Sequence, residues 1–127
     1  MADAVLRSGS PQVIDYTPSS GALAAGDVVE LSANGSNTVE VGIGCGIAMT
    51  DIANNVKGSL AVRGGVWDVT NLNNAADYAL VYWNGTDKVT TVSTNNARFG
   101  AIVSGGGGGA NTTCQVLFDG YNVYNGT

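Results

Sequence analysis

The clearest pattern in the chain runs over residues 39–50. There Val39, Val41, Ile43, Cys45, Ile47 and Met49 alternate with Glu40, Gly42, Gly44, Gly46, Ala48 and Thr50. Strict period two puts the apolar set on one side of an extended strand. The other side carries three glycines, and glycine in a strand marks a bend, a bulge or the close approach of another backbone. The stretch therefore predicts a long strand that bends, as strands do at the corner of a barrel. Further strands are predicted over 13–16, 27–33, 56–63, 66–70, 78–83, 88–93, 97–104 and 113–119. Within 78–83, Tyr78, Leu80 and Tyr82 share one face, and Ala79, Val81 and Trp83 the other.

Turn chemistry separates these runs. Thr17-Pro18-Ser19-Ser20-Gly21 is a turn cluster, Asn34-Gly35 a hairpin dipeptide, and Asn84-Gly85-Thr86-Asp87 a second hairpin signal. Gly64-Gly65 is expected to break one strand from the next, residues 71–77 to form an Asn-rich loop, and the five glycines at 105–109 a mobile loop. Eight or nine short strands at this spacing predict an all-β fold, a single small barrel or sandwich. Strand order is not set by the pattern, so the choice between the two stays open. Residues 1–12 are polar and aperiodic and are expected to be a flexible N-terminal arm, ordered only when a partner holds it. The β domain then covers 13–119, and 120–127 is a C-terminal tail.

Composition supports this picture and removes several chemistries. A chain of 127 residues can build a self-sufficient core. Charged residues make up 12 %, against about 25 % in a typical globular protein. There is no His, which excludes a Ser-His-Asp triad, a Cys-His pair or a His-ligated zinc site on this chain alone. The net charge is −5, with only five scattered basic residues: Arg7, Lys57, Arg63, Lys88 and Arg98. Such a chain lacks the phosphate-neutralising term of nucleic-acid binding and the basic cluster that holds a protein to an anionic membrane. The start shows no secretory signal pattern, so the protein is expected to be made and kept in a cytosol, or assembled there into something larger. In that reducing setting Cys45 and Cys114 are expected as buried free thiols.

Most candidate motifs have plain explanations. The glycine run continues into Ala110-Asn111-Thr112 without the lysine of a phosphate-binding loop. A single Trp67-Asp68 pair does not make a propeller. The Asp residues sit mostly in turns, where they fix the backbone, rather than in an obvious catalytic pair. The sequons at Asn34, Asn84 and Asn111 and Asn125 are mostly Asn-Gly turns. Aromatic residues carry more interest. Trp67, Trp83, Tyr121 and Tyr124 are candidate interface residues, because Trp and Tyr are enriched at protein contacts and also stack on sugars. The alternative for the two tryptophans is that they fill the core.

Three ordered blocks resemble the small phage capsid cement, or decoration, proteins. VIDYTPSSGALAAGDVVEL is similar to their "IDYTP…AGDVV" opening. GIAMTDIANNVKGSLAVRGGVWDV resembles their "G-x-A-x-x-D-I-A…G-x-x-x-V-x-G-V" segment, and DYALVYWNGTDKVTTVSTNNARFGAIV their "V-Y-W-D…T-T…G-x-A" segment. The blocks span about 13–118. The chain departs from the pattern at 105–109, where a Gly-Asp is frequent, and in its arm and tail. Members are sometimes labelled as recombinases, a label that the missing Walker lysine and the acidic balance oppose here. The resemblance implies a non-enzymatic virion protein without a cofactor, made in the host cytoplasm. It would sit as a homotrimer on the outer surface of the phage head, bind the major capsid protein and stabilise its lattice. A second reading is a carbohydrate-binding β-module aiding virion adhesion, with Trp67, Trp83 and Tyr121 as stacking residues.

Overall fold

The computed structural model describes residues 3–31, 42–94 and 96–122. Among them there are eleven strands and no helix. In chain order these are β1 (Val5–Ser8), β2 (Gln12–Tyr16), β3 (Val28–Glu30), β4 (Gly42–Ile43), β5 (Cys45–Ala48), β6 (Gly58–Asn71), β7 (Leu80–Trp83), β8 (Val89–Thr90), β9 (Ala97–Ser104), β10 (Thr112–Asp119) and β11 (Tyr121–Asn122). Pairing runs from β6 to β10, β9, β7 and β8, and β8 returns to β6 through Asn71 and Val89. That circuit is a closed five-strand barrel. The fold is all-β, and of the two architectures left open by the sequence it is the barrel.

β6 organises the molecule. Its second half, beyond Gly65, forms the barrel wall with β10 on one side and β1 on the other. Its first half pairs with β2 and β5, and β5 carries β3, giving a four-stranded flank. Gly64 and Gly65 do not break the strand as expected. They have φ of 95° and 80° and stand where β6 shifts register against β10, between the pairs Val66–Leu117 and Arg63–Asp119, so they act as a bulge that re-aims one continuous strand. Bulges of this kind need the left-handed backbone that glycine tolerates at no steric cost.

The alternating stretch does bend. β4 and β5 are separated at Gly44, whose N–H donates to Gly120 O at 2.7 Å while its carbonyl accepts from Leu31 N at 2.7 Å. β4 turns away to pair with β11, and β5 stays with β3 and β6. Residues 39–41 and the Asn34-Gly35 dipeptide lie outside the described residues. Smaller corrections concern the loops. Tyr78 stands outside β7 with φ of 70° and is 81 % exposed. The predicted strand over 88–93 is only Val89–Thr90. The glycine run is not loose: Gly106 N donates to Asp77 Oδ1, Gly107 N to Ala75 O and Gly109 N to Asn74 Oδ1, each at 2.8 Å.

The N-terminal residues were expected to wait for a partner, yet residues 5–8 form β1 on the open edge of β6. Ala4 is buried and its N–H donates to Gly26 O at 3.0 Å, while the Asp3 carboxylate accepts from Val28 N at 3.0 Å. An edge strand supplies unpaired backbone groups, and a short segment of the same chain satisfies them. The local sequence carries no sign of that distant edge.

Two cores result. The large one fills the barrel with Trp67, Val69, Val81, Trp83, Phe99, Ile102, Val116 and Phe118 among its members. Phe99 stands at its centre, 5.8 Å from Trp83 and 4.8 Å from Phe118 between ring centroids. The small one lies on the flank, where Ala48, Ile52 and Leu60 pack with Ile14, Tyr16, Leu23 and Val29. Cys45 and Cys114 are buried free thiols, as expected.

Candidate contact surface

The structure separates the four aromatic candidates. Trp67 and Trp83 are 2 % and 1 % exposed, so their rings belong to the barrel core and present no face to a sugar or a protein. Trp67 donates Nε1–H to Gly64 O at 3.1 Å and packs edge-on to Phe118, and Trp83 stacks on Phe99. This corrects the interface reading for both: strand parity turns them inward with Val69 and Val81. The backbone of Tyr121 pairs with Ile43 in β11. Tyr124 lies outside the described residues.

The buried thiols offer no nucleophile. Burial pushes Cys45 well above the usual thiol range, with Glu30 and Asp119 adding to it, and its Sγ donates to Arg98 O at 3.2 Å. Burial likewise pushes Cys114 up to about 11, helped by Asp68 and Asp77. Both are protonated at neutral pH, and a thiol reacts through its thiolate. Among the described residues, no group of three His, Cys, Asp or Glu is placed to hold a metal.

What the barrel does present is an ordered outer wall on β6, β10 and β9, built in three rows. Leu117, 49 % exposed, is central; it pairs with Val66 on β6 and with Ala101 on β9, which pairs in turn with Leu80 on β7. Along β10 the next outward residues are Gln115 and Asp119, while Val116 and Phe118 point into the core. Gln115 Nε2 donates to Asp68 Oδ1 at 2.8 Å, Ser104 Oγ donates to Gln115 Oε1 at 2.7 Å, and Arg7 lies 3.4 Å from Asp68. On the other side Asp119 takes Arg63 at 3.1 Å and approaches Arg98 at 3.9 Å. An apolar row thus runs between two polar rows, each holding arginine and aspartate.

Exposed ion pairs of this kind contribute little to stability, of order 0–1 kcal/mol each. Their geometry matters more for recognition. The carboxylates of Asp68 and Asp119 are 25 % and 31 % exposed, whereas Arg7 and Arg63 are 60 % and 54 % exposed, so the guanidinium groups stand outermost. An apolar centre ringed by arginine is the composition found at protein contacts. The sequence held one sign of it that aromatic residues obscured. In Gln115-Val116-Leu117-Phe118-Asp119, Leu117 occupies a position where an outward-facing strand normally carries a polar residue.

Comparison with known proteins agrees with the blocks read in the sequence. No curated protein and no solved structure matches the chain. The family model described as phage cement protein matches residues 8–118. That span holds the flank, the barrel as far as Phe118 and the apolar row around Leu117, with Arg7 and Asp119 just outside it. The chain therefore belongs to the phage cement protein family, with a capsid cement role on the phage virion.

Proposed function

We propose that this protein binds the outer surface of an assembled phage head through the major capsid protein and stabilises that lattice as a static, non-enzymatic clamp. The observation that carries the reading is family membership across residues 8–118. The architecture suits it. A barrel with a continuous aromatic core holds its outer wall rigid, so docking costs little ordering entropy. The working unit is a homotrimer, made in the host cytoplasm and added to the head.

The mechanism is mass action. A ligand that binds only the assembled lattice stabilises it by about 2.7 kcal/mol per site at a hundredfold excess over Kd. Many sites per head turn that increment into a large resistance to opening. The test is cosedimentation of the purified protein with heads that lack it, followed by cryo-electron microscopy and thermal release of the genome. Density at fixed lattice positions and a higher release temperature are expected. A folded protein that leaves both unchanged overturns the clamp.

A further inference from the structure

The hairpin between β7 and β8 carries a dipeptide that the cement role does not use. Asn84-Gly85 follows Trp83 directly, and the turn it opens closes at Lys88, where Asn84 N donates to Lys88 O at 2.9 Å. The Asn84 carboxamide oxygen accepts three backbone N–H groups in succession, from Thr86 and Asp87 at 2.9 Å each and from Lys88 at 3.1 Å. Successive N–H groups converging on one oxygen form the kind of nest that turns offer to anions. Here the nest holds a neutral amide. The carboxamide nitrogen makes only a long bond, donating to Asp87 Oδ1 at 3.4 Å.

Asparagine is a thermolabile side chain, and most so before glycine. Connectivity places the Gly85 nitrogen one five-membered ring closure from Asn84 Cγ, and glycine has no side chain to obstruct the approach. Residues 85–87 are exposed to water. Once the Gly85 N–H has given its proton to hydroxide, the nitrogen attacks Cγ and the N–Cγ bond forms. The Cγ–Nδ2 bond breaks, and the amide group takes a proton from water and leaves as ammonia. Water then opens the resulting succinimide at one of its two carbonyl carbons. Opening at Cγ gives aspartate on an unchanged backbone. Opening at the main-chain carbon gives isoaspartate, in which Cβ has entered the backbone.

The fold distinguishes the two products. Aspartate keeps its oxygen in the nest and adds a charge, and hydrogen bonds to an ionised acceptor are about twice as strong as neutral ones. The nearby Asp87 carboxylate opposes that charge, but Lys88 Nζ lies 2.8 Å from Asp87 Oδ2 and offsets it. Isoaspartate instead lengthens the hairpin by one carbon. Its base cannot give way, because Trp83 pairs with Val89, both are buried, and Trp83 stacks on Phe99 in the barrel core. We propose that Asn84-Gly85 is a site of spontaneous deamidation whose product the hairpin selects: aspartate, with its carboxylate seated on the N–H groups of Thr86, Asp87 and Lys88. Each copy then gains one negative charge at this turn while the barrel stays closed. The inference does not depend on what the protein binds.

Peptide mapping of aged protein tests it, with isoaspartyl methyltransferase labelling to separate the two products. Samples are held in mildly alkaline buffer, folded or unfolded in guanidinium chloride, until half of the unfolded chain has converted at Asn84. The folded chain should accumulate aspartate at that position, with an aspartate-to-isoaspartate ratio at least about tenfold above that of the unfolded chain. A folded chain in which Asn84 stays intact overturns the site. One that yields isoaspartate in the unfolded chain's proportion overturns the selection. Asn84→Asp, made directly, gives an independent reading. It should keep the wild-type circular dichroism and melt at or above the wild-type temperature at neutral pH, and should lose ground to wild type once acid protonates the carboxylate. A variant that melts below wild type at neutral pH means that the nest does not hold the product, and overturns the selection as well.

Discussion

The two halves of β6 belong to unequal structures. Beyond the Gly64-Gly65 bulge, the strand is one stave of a closed barrel whose interior holds two tryptophans and two phenylalanines. Before it, the same strand is the middle of an open flank whose core has three buried side chains and a fringe of partly buried ones. Closure removes sheet edges, and the run of aromatic contacts from Trp67 through Phe118 and Phe99 to Trp83 resists local opening. The flank has neither protection. Stability should therefore be distributed unevenly along a single strand.

The largest effect that would sharpen this contrast comes from the barrel centre. Phe99 is fully buried between Trp83 and Phe118, so Phe99→Ala should cost ~3–5 kcal/mol by denaturant unfolding, from lost burial and the cavity left behind. A loss below about 1 kcal/mol would mean that the aromatic trio does not hold the barrel. Next in size is Gly120, the joint between the halves. Its N–H donates to Val62 O in the flank half of β6, and its carbonyl accepts from Gly44. A Cβ at this position would collide with the carbonyl oxygen of Cys45. Gly120→Ala should cost ~1–3 kcal/mol by overpacking. If the regions are coupled here, hydrogen exchange should quicken in β5 as well as in β10.

The barrel was more legible in the sequence than the joints. The predicted strand over 97–104 is β9 to the residue, and 113–119 differs from β10 only at Thr112. Alternation is a local property, and these strands bury one face against a core that demands it. Two features depended on partners distant in the chain. β1 forms because β6 has an open edge, which no neighbour of Val5 announces. Gly64-Gly65 resembles a break because a bulge and a break need the same residue type, and only pairing on both sides tells them apart. The outer wall was hidden for another reason. Trp67 and Trp83 have a size that suits a core and an interface equally, while Leu117 is marked only by its parity in the strand.

The buried thiols provide the next test, smaller and confined to alkaline pH. Burial raises the folded-state value for both Cys45 and Cys114 above the ordinary 9.0. Their contribution is therefore fully present below pH 9. Above it the unfolded chain loses thiol protons that the folded chain retains, so stability falls as pH rises toward 11 and beyond. The slope should approach about 1.4 kcal/mol per pH unit for each thiol that ionises on unfolding. Urea midpoints at pH 8, 9 and 10 measure it. Cys45→Ala with Cys114→Ala should remove most of the slope, and an unchanged slope would place its origin in other groups.

The smallest effect probes the flank directly. Ile52 is 3 % exposed and lies against Gly58, where a Cβ would meet its Cδ1 at 2.6 Å. Gly58 is thus small because Ile52 occupies the space beside it. Ile52→Val removes one methylene and should cost ~0.5–1.5 kcal/mol. The size of that loss matters less than where it appears. If the flank opens on its own, exchange should accelerate at Leu23, whose N–H donates to Ile52 O at 2.8 Å, and at Met49, while Val81 and Val116 in the barrel keep wild-type rates. Equal acceleration in both halves would instead make β6 a single cooperative unit, with its glycine bulge transmitting strain rather than isolating it.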